Sequence, residues 1–438
     1  MISLFSLLFV ASLLSLLLHR TKLLQPFTLA VLLAGLLLSG TAVGLNGFGT
    51  SEAMTLFTIV MLIVLMAFAL HEKSDTTMTQ MLFLSTASVA LLQSQTMLAF
   101  IVSFEAVSLI SIVLVSHIET KAQAEGAVKM FIAGAIATGM LLLGAVFYLM
   151  GGGLLDAKLT SHGSLFSQMG VYVMLFAVFY KLTIVPMHGW AADTYALVRH
   201  SHAALLTGVA KTVVALAAFK LFAPFLVQSI AFSVPLLVVL AVVTMTLGNF
   251  MALHQKKLAR ILAYSSIAHA GYMLLAYAAV KSGYASTGLL YMAIAYIFMQ
   301  TAVFLVLDTL RKKYDMQTLE DLKGLAKGDG ILAFFFTVQL FSLAGIPLLA
   351  GFLGKAVVFY AVVDAGLWYV ALIALLNSAL SVGYYAWIVK HLYFDESRVS
   401  NSFKTPEKLN IISQLILLGG TLYFGIFASM VFAVGNGL

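Results

Sequence analysis

Fourteen apolar stretches separated by short polar loops constrain this chain more than any other feature. A helix needs about 20 mostly apolar residues to cross the hydrocarbon core of a bilayer. Of the 438 residues, 62% are hydrophobic and 9% are charged, whereas a soluble domain has about 25% charged residues. The sequence therefore predicts an all-α polytopic membrane protein with about 14 transmembrane helices. The predicted spans are residues 1–18, 23–45, 54–71, 78–93, 96–116, 124–149, 168–185, 203–225, 233–253, 260–280, 286–308, 330–363, 367–394 and 409–434.

The basic residues indicate how the predicted helices are oriented. Seventeen of the 24 Lys and Arg residues fall in loops on one side of the fourteen spans, and only Lys158, Lys220 and Lys281 fall on the other. Because cytoplasmic loops carry the excess of Lys and Arg, the pattern predicts a cytoplasmic basic side and both chain termini on the outer side. The net charge of +7 then reflects topology and does not indicate a nucleic-acid partner.

Four lysines, Lys129, Lys181, Lys211 and Lys355, lie within the predicted spans. A lysine at the centre of a transmembrane helix costs about 2.5–3.5 kcal/mol on insertion scales. Deprotonating an ordinary lysine at pH 7 costs about 4.6 kcal/mol, so the charged and neutral forms of a buried lysine are close in free energy, as a proton relay requires. Snorkelling of the side chain to the membrane surface is the alternative, and it competes most strongly for Lys129, near the basic side.

Glu105 is the one acidic residue predicted well inside a span, the fifth. A lone carboxylate in a membrane is costly, so we expect either a protonated side chain or a lysine partner. The alternative is an acid that is bonded to a neighbouring helix for packing alone.

Proline interrupts two of the predicted spans. IVPMHGW at 184–190 contains Pro186, and GIPLLAGF at 345–352 contains Pro347. Proline kinks a helix, which is tolerated in a membrane where protein or water satisfies the freed backbone groups. The seventh and twelfth spans are five apart and so cross in opposite directions, as inverted repeats require. We predict N-terminal helices over 1–77, one repeat over 78–225, a second over 226–394 and a C-terminal helix over 395–438.

Histidines concentrate near the first break. His188, His200 and His202 follow Pro186, and His269 lies inside the tenth predicted span. Histidine titrates near physiological pH and can pass protons. Paired histidines can also ligate haem, but none of these spacings specifically favours it. The chain has no cysteine, which excludes thiolate-bound iron–sulfur clusters, so electron transfer is expected elsewhere unless histidine holds the cofactor.

Four stretches resemble a known family. They are AEGAVKMFIAGAIATGMLLLGAVFYLMGG (124–152), YKLTIVPMHGWAADTY (180–195), MTLGNFMALHQKKLARILAYSSIAHAGYMLLA (245–276) and FSLAGIPLLAGFLGKAVVF (341–359). They resemble subunit N of bacterial NADH:quinone oxidoreductase, respiratory complex I, one of the antiporter-like subunits that also include Mrp-type cation/proton antiporters. One departure is GWAADTYALVRHSHAAL, which lacks the proline of the family's WxPDxY pattern, so this loop is expected to differ in shape and water access.

The resemblance implies a proton channel of two inverted five-helix repeats with broken helices 7 and 12. In this family a glutamate in span five pairs with a lysine in span seven, a lysine in span eight links the halves, and a lysine in span twelve leads to the exit. The matching residues are Glu105, Lys181, Lys211 and Lys355. Further candidates for proton transfer are Lys129, His188, His200, His202 and His269.

The resemblance also implies a non-redox, proton-translocating subunit in a bacterial inner membrane, surrounded by other membrane and peripheral subunits. No cofactor, metal or nucleic acid is expected on this chain, and quinone, FMN and iron–sulfur clusters are expected in partner subunits. The electron donor stays open among NADH, ferredoxin, reduced deazaflavin and a hydrogenase module. Two other readings are a subunit of an Mrp-type Na⁺/H⁺ antiporter and a membrane scaffold with inert buried charges.

Overall fold

A computed structural model describes residues 4–43, 52–118, 120–156, 159, 164–395 and 408–435. Lys158, Arg398 and Lys404, which were used in sorting the basic loops, lie outside these residues. Within them the chain is almost entirely helical, and the one β-bridge joins Lys257 to Thr318. The helices are α1 (Leu4–Leu17), α2 (Leu24–Val43), α3 (Glu52–His71), α4 (Asp75–Gln93), α5 (Met97–Val115), α6 (Lys121–Met150), α7 (Leu165–Leu182), α8 (Ala191–Leu197), α9 (His200–Ala204), α10 (Lys211–Gln228), α11 (Ile230–Leu253), α12 (Leu258–Ala278), α13 (Ala285–Tyr314), α14 (Leu325–Gly328), α15 (Gly330–Ala344), α16 (Ala350–Asp364), α17 (Trp368–Tyr393), α18 (Lys408–Ile426) and α19 (Ser429–Val434).

Each of the fourteen predicted spans falls on a helix or on a broken pair of helices. Among the described residues, nine helices are long and apolar enough to cross a membrane, or ten if one bent pair is counted as a single span. The other predicted spans fall on the shorter apolar helices α1, α2 and α18, on α4, which is rich in Ser and Thr, and on the pair α15 and α16. The prediction of an all-α polytopic membrane fold is confirmed.

The helices differ sharply in how much of their surface is covered. In α13, 100% of the residues in its 18-residue apolar segment are buried, and in α12 94% are buried. In the corresponding segments of α6 and α11, only 33% and 28% of the residues are buried. Large apolar side chains on α6, such as Phe131 and Ile136, are more than half exposed. Since lipid tails are as apolar as these side chains, the outer helices can face the bilayer while α12 and α13 form the centre.

Both predicted breaks are present. Helix α7 ends at Leu182, Thr183 adopts a left-handed conformation with φ 63°, and α8 begins five residues after Pro186. Helix α15 ends before Gly345, which is also left-handed with φ 92°, and α16 begins at Ala350. Pro347 lies between them. The division of the chain into two repeats at 78–225 and 226–394 stays a prediction.

Reciprocal glycines bring α6 and α7 into close contact. A Cβ atom added at Gly144 would lie 2.7 Å from the carbonyl oxygen of Gly170, and one added at Gly170 would lie 2.5 Å from the carbonyl oxygen of Gly144. Small residues at such crossings let two helix backbones approach closely in a membrane. Gly139 lies on the same helix, but a Cβ there would have nothing within 4 Å.

We therefore expect Gly144→Ala to destabilise the protein by about 1–3 kcal/mol through overpacking, measured as a lower midpoint of thermal unfolding in detergent. Gly139→Ala is the matched control, and it should be neutral or slightly stabilising because alanine favours helix over glycine by up to about 1 kcal/mol. Equal effects of the two substitutions would contradict the close approach of α6 and α7.

Candidate proton-transfer site

Lys211 lies at the centre of the molecule, where its ammonium group has a set of oxygen acceptors. The side chain is fully buried. Its Nζ donates to Thr183 Oγ1 at 2.9 Å, to Ser266 Oγ at 2.6 Å and to the Ser266 carbonyl at 3.1 Å. The ring of Tyr195 on α8 lies 5.7 Å away. Lys211 therefore contacts the break after α7 and the middle of α12 at the same time.

The chain that leads into Lys211 is a π-helix over Leu205–Ala210. The backbone N–H of Lys211 donates to the carbonyl of Leu206, five residues earlier. Gly208 inside this segment packs on α13, because a Cβ there would lie 2.2 Å from Thr301 Oγ1. Such π segments are often found at functional sites, and the sequence contained no signal that predicted this one.

Glu105 and Lys181 lie within electrostatic range of each other without a direct ion pair. Thr138 donates to both carboxylate oxygens of Glu105, at 3.1 and 2.9 Å. Lys181 is 4% exposed, and its Nζ has no hydrogen-bond partner. Glu105 and Lys181 interact electrostatically, although no ion pair within 4.0 Å joins these two described residues. The predicted partners are therefore neighbours, and the lysine is the less well satisfied of the two.

Lys355 is held by the end of the second broken helix. Its Nζ donates to the carbonyls of Leu343 and Ala344 at 2.8 and 3.0 Å and to Ser378 Oγ at 3.0 Å. The last carbonyls of α15 have no intrahelical donor, and the negative end of a helix dipole favours a cation. The break at Pro347 thus creates the acceptors that this buried lysine uses.

His269 lies between Lys211 and Lys355. Its Nδ1 donates to the Ser265 carbonyl at 2.8 Å, and the ring also lies beside the Leu343 carbonyl that accepts from Lys355. The ring lies 5.3 Å from that of Tyr296, whose hydroxyl donates to Ser266 Oγ at 2.8 Å. His269 interacts electrostatically with both lysines. The Tyr272 ring lies 5.7 Å from that of His269 and 5.2 Å from Lys355 Nζ, so His269 contacts groups around both lysines.

The other predicted histidines lie away from this central row. His200 and His202 are buried at the start of α9, where His202 Nε2 is 3.0 Å from Thr77 Oγ1 and His200 Nδ1 has no partner. His188 is half-buried in the loop after Pro186. Among the residues that the structure describes, no three His, Cys, Asp or Glu side chains are placed to hold a metal ion.

Lys129 belongs to an ion-pair network at the basic end rather than to the buried row. Its Nζ lies 2.6 Å from Asp193 Oδ2 and 2.6 Å from Glu125 Oε1, and its side chain is 39% exposed. Arg260 on α12 binds the other oxygen of Asp193 at 2.5 Å. Partial burial opposes ionisation, but the hydrogen bonds from Lys129 and Arg260 hold the pKa of Asp193 below its usual value. Asp193 therefore ties α8 to both α6 and α12.

Asp308 is a buried acid that sequence reasoning missed. It was placed at the end of a predicted span, but α13 continues to Tyr314 and leaves Asp308 only 3% exposed. His71 Nε2 lies 3.1 Å from Asp308 Oδ2, and Lys312 Nζ lies 2.8 Å from the same oxygen. The spacing of Asp308 and Lys312, one helical turn apart, was the available signal. His71 lies at the end of α3, far from Asp308 in sequence, and no sequence signal indicated that the two residues would meet.

Residues 94–381 match the family described as NADH:quinone oxidoreductase/Mrp antiporter, TM. The chain belongs to this family. It is 35% identical over 316 residues to NADH-quinone oxidoreductase subunit N of Trichlorobacter lovleyi, a match that covers 70% of this chain and 65% of the relative. It is 33% identical to F(420)H(2) dehydrogenase subunit N of Methanosarcina mazei, over 77% of this chain and 72% of the relative.

Solved structures show the same fold for this antiporter-family chain. A chain of respiratory complex I from Thermus thermophilus matches with a TM-score of 0.86, 25% identity and 100% coverage of both chains. A chain of the Mrp complex from Dietzia sp. matches with a TM-score of 0.88 at 20% identity, over 99% of this chain and 96% of its own. The predicted family is thus confirmed, and the Mrp likeness concerns the fold alone.

The Asp193 network gives a stability prediction. Asp193→Asn should destabilise the antiporter-family chain by up to about 1 kcal/mol for each lost pair, because both bases are partly exposed. The control Glu125→Gln removes only the exposed contact to Lys129 and should cost less. Since a depressed carboxylate pKa stabilises the fold above the unfolded-state value near 3.9, the difference between wild type and Asp193→Asn in unfolding midpoint should persist above that value and narrow as the pH falls below it, through the lower pKa of the folded state. A constant difference would contradict the assignment.

Proposed function

We propose that this chain is the proton-translocating, antiporter-like subunit N of a complex I-like quinone oxidoreductase. Family membership supports the class of complex. The observation that carries the proposal is the row of buried bases Lys211, His269 and Lys355. Lys211 and Tyr296 are hydrogen-bonded to Ser266, the Tyr296 ring contacts His269, and the Leu343 carbonyl that accepts from Lys355 lies beside His269. A membrane scaffold with inert buried charges gives no reason for three buried bases to lie in one row.

The buried bases, including Lys181, can carry protons because their protonated and neutral forms are close in free energy. Two unit charges 4 Å apart interact by about 4 kcal/mol at an effective dielectric constant of 20, similar to the cost of deprotonating a lysine at pH 7. Lys181 has no hydrogen-bond partner, so its charge depends mainly on Glu105. A change in the distance or protonation of Glu105 would therefore decide whether Lys181 keeps its proton or passes it on.

Lys211 would receive the proton at the midpoint, and His269 would pass it towards Lys355. Nε2 of His269 can take up a proton while Nδ1–H stays bonded to the Ser265 carbonyl, and the Leu343 carbonyl beside the ring would accept from the resulting Nε2–H. Lys355 would release it towards the outer side. We assign no redox step to this chain; quinone, FMN and iron–sulfur clusters would belong to partner subunits, and the driving change would arise at the quinone site.

We further propose a bacterial inner-membrane location, with the basic side in the cytoplasm and both termini on the outer side. The positive-inside rule supports this orientation. His200 and His202, near the basic end, would lie on the entry side, and Lys129 would contribute to the rim of that entry.

Lys211→Ala should lower proton pumping by the assembled complex at least about tenfold, because the central acceptor of the row is lost. Pumping is measured with a pH-sensitive dye in proteoliposomes during quinone reduction. The matched control is Lys220→Ala on the same helix, whose Nζ donates to the Leu92 and Ser94 carbonyls at the end of α4. That variant should pump normally. Undiminished pumping by Lys211→Ala, with intact assembly, would sink the central-relay role.

His269→Gln should lower pumping several-fold and leave assembly intact, because the amide fills the site and cannot carry a proton between the two lysines. His254→Gln, at an exposed position after α11, is the control and should have no effect. If His269→Gln pumps as well as wild type, the two lysines are not connected through this histidine.

Purification of the native complex separates the proposal from an Mrp-type antiporter. Co-purifying iron–sulfur and quinone-site subunits are expected, with proton transfer that depends on electron transfer. Small hydrophobic subunits alone, with Na⁺/H⁺ exchange that needs no electron donor, would favour the antiporter.

A further inference from the structure

A cavity of about 270 Å³ opens at the basic end of the molecule, outside the buried row. It lies among the ends of α6, α8, α12 and α13 and is open to the surface on one side. Four of the residues that line it are bases: Lys257, Arg260, Arg311 and His200. None of the described Asp or Glu residues lines it. The basic lining of the cavity therefore favours binding of an anion.

Two long helices point their N-termini at this cavity. Helix α6 has 30 residues and starts beside the lining residues Thr120 and Ala122. Helix α12 has 21 residues, and the lining residues Leu258 and Ala259 form its first turn. Lys257, which precedes α12, makes no side-chain capping bond. A capping box between Thr120 and Gln123 already occupies N–H groups at the start of α6, and the Leu258 N–H donates to the Gln317 carbonyl. The two helix N-termini therefore contribute mainly their partial positive charge, which favours an anion.

A buried ring nitrogen of His200 without a hydrogen-bond partner is an independent indication that the cavity binds a ligand. Its side chain is 5% exposed, it lines the cavity, and its Nδ1 is buried without a hydrogen-bond partner. Buried polar atoms are normally satisfied. An anion in the cavity would provide an acceptor for this imidazole.

The nearby carboxylates leave much of the positive charge uncompensated. Asp193 binds Arg260 at 2.5 Å and so neutralises one of the bases. Asp315 and Asp321 accept hydrogen bonds from Gln317. Neither Lys257 nor Arg311 forms an ion pair within 4.0 Å with any described residue. Lys257 and Arg311 therefore remain for a ligand, within the partial positive charge of the two helix N-termini.

We propose that this cavity binds the phosphate group of an anionic ligand. The position at the end of the membrane-crossing helices fits an anionic phospholipid headgroup, because basic pockets between helices at the cytoplasmic surface bind such headgroups. Inorganic phosphate presents the same oxygen atoms to the same wall. The cavity lies at the lower end of the size range of small-molecule sites, so it suits a headgroup or a phosphate ion rather than a nucleotide.

The test adds two probes to the purified, delipidated complex. Bound phosphatidylglycerol is counted by native mass spectrometry, and binding of radiolabelled inorganic phosphate is measured by equilibrium dialysis. Arg311→Gln should weaken binding about tenfold, the usual size of one charge-assisted hydrogen bond. Ala122→Glu should weaken it as well by adding a negative charge to the wall, while an acid in the first turn of α6 favours the helix and keeps the protein folded.

Lys390→Gln is the control, since it removes an exposed base at the same end of the molecule but outside the cavity. It should bind both probes like wild type. Loss of phosphatidylglycerol binding alone would identify a lipid headgroup, and loss of phosphate binding as well would show that the free ion suffices. If both cavity variants bind both probes within twofold of wild type, at unchanged unfolding midpoints, the site does not exist. The test measures binding and not pumping, so its result does not depend on whether the proposed function is correct.

Discussion

The cost of burying a lysine ammonium group in a low-dielectric interior is the constraint on which the rest of this structure depends. A buried charge has to be paired or fully hydrogen-bonded, and most carbonyls of an unbroken helix already accept an intrahelical hydrogen bond. The two breaks supply what is needed: Thr183 after α7 accepts from Lys211, and the last carbonyls of α15 accept from Lys355. Broken helices and buried lysines therefore form one device. Lys181 is the member without such acceptors, which leaves its charge most sensitive to Glu105.

This device needs a rigid centre, because hydrogen bonds weaken steeply with distance and angle. The centre is built from α12 and α13, which are almost wholly buried. Glycines allow the neighbouring helices to approach closely: Gly248 of α11 and Gly271 of α12 would each meet backbone atoms of the other helix within 3 Å if they carried a Cβ. Close packing fixes Ser266, and Ser266 in turn fixes the ammonium group of Lys211.

The basic end of the molecule follows different rules, because water and exposed charges are present. Asp193 holds α8 between α6 and α12, and α8 carries the Tyr195 ring that faces Lys211. His71 and Asp308 tie α3, outside the predicted repeats, to the end of α13. The basic end is thus framed by ion pairs, whereas the lysines in the middle of the row rely on hydroxyl and carbonyl acceptors.

The sequence by itself determined the helical membrane fold, the family, both helix breaks and the isolated lysines, because hydropathy, proline and intramembrane charge act locally along the chain. It set Lys129 apart only by its position near the basic side, and it did not give the partners of any of these lysines. The structure shows that Lys129 is a partly exposed ion-pair partner and that Lys211 is fully buried. Asp308 with His71, the π segment before Lys211 and the partners Ser266 and Tyr296 were decided by the tertiary structure alone. Each depends on side chains brought together from helices far apart in the chain, and no local pattern records which helices will meet.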